Sequence, residues 1–250
     1  MPKPKVVIVM PAYNAAHTLV RTITSLPAGS YDEIVIVDDG SRDDTADVGK
    51  HLNATVVAHQ VNKGYGAAQK TGYKEALKKN ADIVVLVHGD NQYDPSFVPS
   101  FVSKIAGEGC DLVTGTRMVL GDVLQKGMPV WKFIPNRFLT GLENLVFESH
   151  ISDYHDGFRA YSARFLRQLP FELMSDKFDF DTDIIVQGII RKYKIGEVPH
   201  PTRYSPENSQ MPFSKGVDYG LSVLRTVYGY FLHKSGIKKQ AIFTVNDKNC

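Results

Sequence analysis

Lys5-Val6-Val7-Ile8-Val9-Met10-Pro11-Ala12-Tyr13-Asn14 begins as a short apolar run and stops on a polar turn. A run that is apolar at nearly every position, with no alternation, suits a strand buried on both faces. The same figure returns four times. Glu33–Val37 precedes Asp38-Asp39-Gly40-Ser41, and Thr55–Ala58 precedes Asn62-Lys63-Gly64-Tyr65-Gly66. Ile83–Val87 precedes His88-Gly89-Asp90-Asn91-Gln92-Tyr93-Asp94-Pro95, and Asp111–Thr114 precedes Gly115-Thr116-Arg117. Helical spacing lies between these runs: Ala16, Leu19, Val20, Ile23 and Leu26 behind Asn14 as a cap, then Asp43–Leu52, Gly66–Lys79 and Pro95–Ala106. Alternating strand and helix predict an α/β fold, with a mostly parallel sheet and helices on both faces. Ligands in such sheets bind beyond the carboxyl ends of the strands, so the five polar clusters should share one rim. This reading places roughly residues 1–117 in the sheet and in the half of the chain that carries the five clusters. Residues 118–215 complete the site, and 216–250 form an amphipathic helix and tail, all within a single domain 1–250.

Composition narrows the function. The 250 residues carry 29 Lys and Arg against 27 Asp and Glu, a balance of +2. No concentrated basic excess argues for nucleic acid as a partner. Cys110 and Cys250 lie too far apart in sequence to suggest a disulfide framework or a zinc site, which favours a reducing, cytoplasmic setting. Pro11 and Tyr13-Asn14 cut the first apolar run short of a signal peptide, and no run of about 18 apolar residues predicts a spanning helix. The pattern Val217, Leu221, Leu224, Tyr228, Phe231 marks a helix that either packs on the protein or lies peripherally on the cytoplasmic face of a membrane.

Each cluster has a chemistry and a plainer reading beside it. Asp38-Asp39-Gly40-Ser41 offers carboxylate acceptors for a base or ribose, and also reads as a turn followed by a helix cap. His88, Asp90 and Gln92 put an imidazole, a carboxylate and an amide oxygen at alternate positions, a donor set for Mg²⁺ or Mn²⁺ beside a diphosphate. Asp94-Pro95 opens the next helix. The glycines of Asn62-Lys63-Gly64-Tyr65-Gly66 would let backbone N–H groups approach a ligand, with Lys63 meeting phosphate. Neither the dinucleotide fingerprint nor a P-loop is present.

In order and spacing, Pro-Ala-Tyr-Asn (11–14), Asp-Asp-Gly-Ser (38–41), Asn-Lys-Gly-Tyr-Gly-Ala-Ala (62–68), Gly-Asp-Asn-Gln-Tyr-Asp-Pro (89–95), Gly-Thr-Arg (115–117) and Asp-Tyr-His-Asp-Gly-Phe-Arg-Ala-Tyr-Ser (153–162) resemble the family 2 glycosyltransferases. Within that family they resemble the dolichol-phosphate mannose synthase-like branch, over about residues 5–205. The resemblance implies the nucleotide-diphospho-sugar transferase (GT-A) fold. It also implies inverting, metal-dependent transfer of a hexose from a GDP- or UDP-sugar to a polyprenyl phosphate. Pro11, Ala12, Tyr13, Asn14, Asp39 and Gly40 would hold the nucleoside, with Lys63 and Gly64 nearby. His88, Asp90 and Gln92 fall on the family's Asp-x-Asp-x-Gln metal motif, with His88 in place of its first Asp. Arg117 and Arg137 would serve the acceptor phosphate and Arg159 would bind substrate, with about 1–117 as the nucleotide-sugar-binding half and about 118–215 as the acceptor-binding half. Asp153 is the first candidate base and Asp156, which replaces a Ser or Thr of the family, is the second; Asp183 would support the site. Arg203 and Lys215 flank a loop near the donor. Transfer to a saccharide hydroxyl would require one of the carboxylates as base. His88 also leaves open a sugar-nucleotide-binding protein without catalysis, and His150 and His155 read either as metal ligands or as structural histidines.

Overall fold

The structure, a computed structural model, describes residues 3–202, 204 and 213–245. Seven strands form one sheet: β1 (Val6–Ala12), β2 (Glu33–Asp38), β3 (Thr55–Ala58), β4 (Ile83–Leu86), β5 (Leu112–Thr116), β6 (Arg159–Ser162) and β7 (Ile195–Pro199). Their order is β3-β2-β1-β4-β6-β5-β7. β6 runs antiparallel to both its neighbours, and all other pairs are parallel. The helices are α1 (Ala16–Thr24), α2 (Thr45–His51), α3 (Tyr65–Lys78), α4 (Val98–Ala106), α5 (Val130–Phe147), α6 (Ala163–Arg167), α7 (Phe180–Ile190) and α8 (Phe213–Lys234).

The unbroken apolar runs are explained by what covers them. Val7, Val9, Val35, Val37, Val84 and Leu86 point into a core completed by residues of α3, α5, α7 and α8. Val6, Ile8, Met10, Ile34, Ile36 and Val85 point into a second core with residues of α1 and α4. Successive residues of a strand alternate faces, so both sets must be apolar when both faces are covered. Each such side chain contributes roughly 1.5–3 kcal/mol by leaving water. Helix α3 lies so close to β1 that a methyl group at Gly72 would collide with Val9.

Two expectations change here. The sheet does not end near residue 117, because β6 and β7 from the second half extend it to Pro199. Asn14 does not cap α1 with its side chain. It takes a left-handed φ of 50° and accepts a hydrogen bond from Arg42 N at 2.9 Å, while Asp43 Oδ2 receives the Ala16 N–H at 3.1 Å. Asp94 does cap the turn before α4, accepting from Ser96 N at 3.0 Å. Among the described residues no helix is long and apolar enough to cross a membrane.

Candidate active site

The carboxyl ends of β1, β2, β4, β5 and β7 share one rim, and the antiparallel β6 adds its beginning to it. Leu86 and Thr114 both pair with Arg159, and Thr116 pairs with Pro199. The reversed strand therefore delivers residues 153–158 between the ends of β4 and β5.

On the donor side, the loops after β1, β2 and β3 fasten one another. Asn14 N donates to Ser41 Oγ at 2.9 Å, and Asp39 N donates to the Ala12 carbonyl at 2.9 Å. The buried Asp39 carboxylate accepts from Lys63 N and Gly64 N, both at 2.9 Å, and lies 2.7 Å from His59 Nδ1. The glycines are spent on the protein itself, which corrects the expectation that they admit a ligand. A Cβ at Gly40 would lie 2.7 Å from the Val61–Asn62 backbone, and one at Gly64 would lie 2.5 Å from the Asp176 carbonyl. Gly66 N donates to that same carbonyl at 2.9 Å. Of the residues expected at the nucleoside, Tyr13, Asn14 and Lys63 are exposed, Pro11, Gly40 and Gly64 are half-buried, and Ala12 and Asp39 are buried.

His88, Asp90 and Gln92 lie together after β4, all half-buried. Asp90 Oδ1 accepts from Gln92 N at 3.0 Å. Burial raises the Asp90 carboxyl above its ordinary range, and the His88 imidazole opposes that rise only in part. A divalent cation beside it would favour its ionised form. His88 Nε2 lies 2.7 Å from the Tyr65 hydroxyl, which reaches Asp181 Oδ2 at 3.4 Å. One imidazole nitrogen is therefore engaged, and the second orients with it. The donor set fits a cation shared with substrate oxygens. No group of three or more His, Cys, Asp or Glu among the described residues makes a complete protein cage.

On the acceptor side, Asp153 is wholly buried. Its Oδ2 accepts from Arg117 Nε at 3.0 Å, and its Oδ1 accepts from Asn136 Nδ2 and His155 N, each at 3.0 Å. Arg117 also donates to the His155 carbonyl at 2.8 Å and the Tyr204 hydroxyl at 3.2 Å. Burial opposes its charge, but Asp153 beside it keeps the guanidinium protonated. Asp156 is wholly buried too. It accepts from Phe158 N at 2.9 Å and lies 3.1 Å from His200 Nε2. His200 Nδ1 donates to the Pro201 carbonyl at 3.0 Å, and a carbonyl can only accept, so that nitrogen carries a proton. Burial alone would raise the Asp156 carboxyl, yet His200 overrides it and holds the group at about 2. Burial would likewise lower the His200 imidazole, and Asp156 reverses the sign. The pair is a buried carboxylate and imidazolium.

The other expected residues separate. Arg137 is exposed on α5 and reaches the Ser152 carbonyl at 3.3 Å. Arg159 is wholly buried, donating to the Asp181 carbonyl at 3.0 Å and the Tyr154 carbonyl at 2.8 Å, away from any open surface. Asp183 accepts from Ser175 N at 2.8 Å, and burial pushes it up to about 7. His155 bridges the Tyr219 hydroxyl at 2.7 Å and Glu143 Oε2 at 3.2 Å as a structural histidine, while His150 is exposed as a surface one. Lys215 is exposed in the first turn of α8, and Arg203 lies outside the described residues. Tyr65, His59, Glu143 and His200 were not singled out. Tyr65 stood inside a quoted motif, whereas His200 follows the short strand β7, Ile-Gly-Glu-Val-Pro, with no motif around it.

Known proteins resemble this chain in sequence and in fold. Residues 7–169 match the Glycosyl transferase family 2 profile. The chain is 30% identical over 215 residues to the UDP-N-acetylglucosamine–dolichyl-phosphate N-acetylglucosaminyltransferase of Methanococcus voltae, spanning 79% of this chain and 85% of that protein. It is 27% identical over 222 residues to a dolichyl-phosphate hexose transferase of Haloferax volcanii, spanning 87% and 92%. Among solved structures, glucosyl-3-phosphoglycerate synthase of Mycobacterium tuberculosis in complex with UDP superposes with a TM-score of 0.70 at 22% identity, over 94% of this chain and 81% of that one. Other crystals of that enzyme hold Mn²⁺ with UDP and glucosyl-3-phosphoglycerate, or Mg²⁺ with UDP. The sheet order, the rim and the sequence match have one reading: the chain has a GT-A-type fold, is a glycosyltransferase and belongs to glycosyl transferase family 2.

Proposed function

We propose that this glycosyltransferase moves a hexose or N-acetylhexosamine from a nucleotide-diphosphate sugar to a polyprenyl or dolichyl phosphate, with inversion and with Mg²⁺ or Mn²⁺. The observation that carries the acceptor is the state of its two candidate bases. A sugar hydroxyl must lose a proton as it attacks, and a carboxylate must be free to take it. Asp153 is committed to Arg117, Asn136 and His155 N, and Asp156 to His200, both without solvent access. A phosphomonoester oxygen is already anionic near neutral pH and needs no base. Arg137, exposed on α5 beside the Ser152 carbonyl, would offer it a cation, with the buried Arg117 behind it, and the two archaeal relatives point the same way.

On this reading Asp153 and Asp156 act as positioning residues that hold Arg117 and the loop before β6. Asp90, Gln92 and the second nitrogen of His88 would hold the cation, which would neutralise the diphosphate leaving group. Pro11, Tyr13 and Lys63 would face the nucleotide.

The test is a radiolabelled-donor assay with several UDP- and GDP-sugars, polyprenyl phosphate, and partition of label into organic solvent. One donor should label the lipid phase, and Asp90→Ala or a chelator should abolish it. Turnover only with oligosaccharide acceptors would overturn the lipid-phosphate reading.

A further inference from the structure

Helices α5 and α8 pack together, with Leu139 and Phe147 of one helix and Val223 and Val227 of the other in the core. Their outer faces remain apolar. On α5, Trp131, Ile134 and Phe138 recur at helical spacing, with Ile134 61% and Phe138 65% exposed. On α8, Phe213, Val217 and Leu221 do the same, with Phe213 64% exposed. The two stripes meet: the Trp131 and Phe213 rings are 5.2 Å apart, and a Cβ at Gly216 would lie 3.2 Å from Trp131. Single exposed apolar residues are normal on a soluble surface, but a joined patch of this kind marks a contact surface.

Charge selects the partner. Helices α5 and α8, which carry the patch, hold five Lys and Arg against two Asp and Glu, and one of those two is the buried Glu143. The whole chain is only +2, so everything outside these segments is net negative. Two copies of such a basic face repel, whereas an anionic lipid surface attracts it. Aromatic and aliphatic side chains flanked by Lys and Arg are the composition of an interfacial helix. The patch also adjoins the acceptor side: Arg137 lies between Ile134 and Phe138 in sequence, and the Lys132 ammonium is lowered by burial and by nearby Arg117.

We infer that the outer faces of α5 and α8 dock on an anionic bilayer leaflet, so that the proposed acceptor phosphate is met at the membrane surface. The docking itself needs no donor or acceptor. Only its link to the acceptor rests on the polyprenyl-phosphate reading.

Vesicle flotation tests it with the whole chain, comparing phosphatidylcholine alone with vesicles of roughly one-third phosphatidylglycerol. The protein should float with the anionic vesicles, less so at high salt, and poorly with neutral ones. Ile134→Glu with Phe138→Glu should lower partition about tenfold or more. The same variant should retain transfer to a short-chain, water-soluble prenyl phosphate. Val20→Glu, at an exposed apolar residue of α1, should float like the parent. Absence of flotation, or flotation indifferent to the α5 changes, would overturn the docking. So would a dimer by light scattering that the α5 changes dissolve, since a second copy would then cover the patch. Flotation without any lipid-phosphate transfer would leave docking intact and sink the acceptor reading instead.

Discussion

Asp156 and His200 show what a single residue exchange entails. Where the family resemblance leads one to expect a Ser or Thr, this chain has a carboxylate with no exposure, and such a charge survives only with a partner. His200 is that partner, enclosed by the rings of Tyr93, Phe101 and Phe158. His200→Leu should therefore destabilise the protein by roughly 3–5 kcal/mol in urea unfolding, because it strands Asp156. Adding Asp156→Ser should recover most of that loss, since a small neutral hydroxyl and a leucine suit an aromatic-lined site. A double variant no more stable than His200→Leu alone would refute the pairing. The anomaly at 156 was visible in the sequence, but its compensation was not. His200 is 44 residues away and adjoins Asp156 only because β6 and β7 flank β5. Asp39 was legible as a functional acceptor in kind only, since its partners Lys63 N and Gly64 N are backbone groups that composition does not mark.

Among the elements, the strands were the most legible. Thr55–Ala58 matches β3 without adjustment, and the other four early strands differ at their ends by one or two residues. Runs covered on both faces leave a strong signal. Short β6, Arg-Ala-Tyr-Ser, is only four residues with polar ends and offers no such pattern. The glycines before and within α3 were visible, but their purpose was not. Their missing side chains make room for the Ser175–Lys177 segment, which supplies Asp176 O to the first N–H groups of the helix. Gly66→Ala would place a Cβ 2.6 Å from the Ser175 carbonyl and 2.8 Å from the Lys177 carbonyl. It should cost roughly 1–3 kcal/mol in thermal or urea unfolding. Donor affinity measured by calorimetry should fall with it, as the Lys63–Gly64 turn shifts.

For the whole molecule, the buried titrating groups set a pH profile of stability. Asp183 rises from 3.8 to about 7 on folding, so its contribution is greatest at low pH and fades as pH climbs through 7. The raised His200 contributes fully below its ordinary 6.5 and loses its contribution as pH passes its folded value. Asp156, held near 2, contributes above its ordinary 3.8 and fails only as pH falls toward 2. The melting temperature should therefore be highest on the acid side of neutrality and fall by roughly 5 °C or more toward pH 8.5. Asp183→Asn should flatten that fall, and an unchanged profile would count against the buried carboxyl as its source. The strand order has a consequence for synthesis as well. Among the described residues β5 pairs only with β6 and β7, both made after it, so Leu112–Thr116 must emerge from the ribosome and wait without these neighbours until residue 159 and beyond arrive. Such a strand is a sticky edge on a nascent chain. Slowed translation between residues 117 and 159 would prolong that exposure and with it the time in which a foreign strand could pair there.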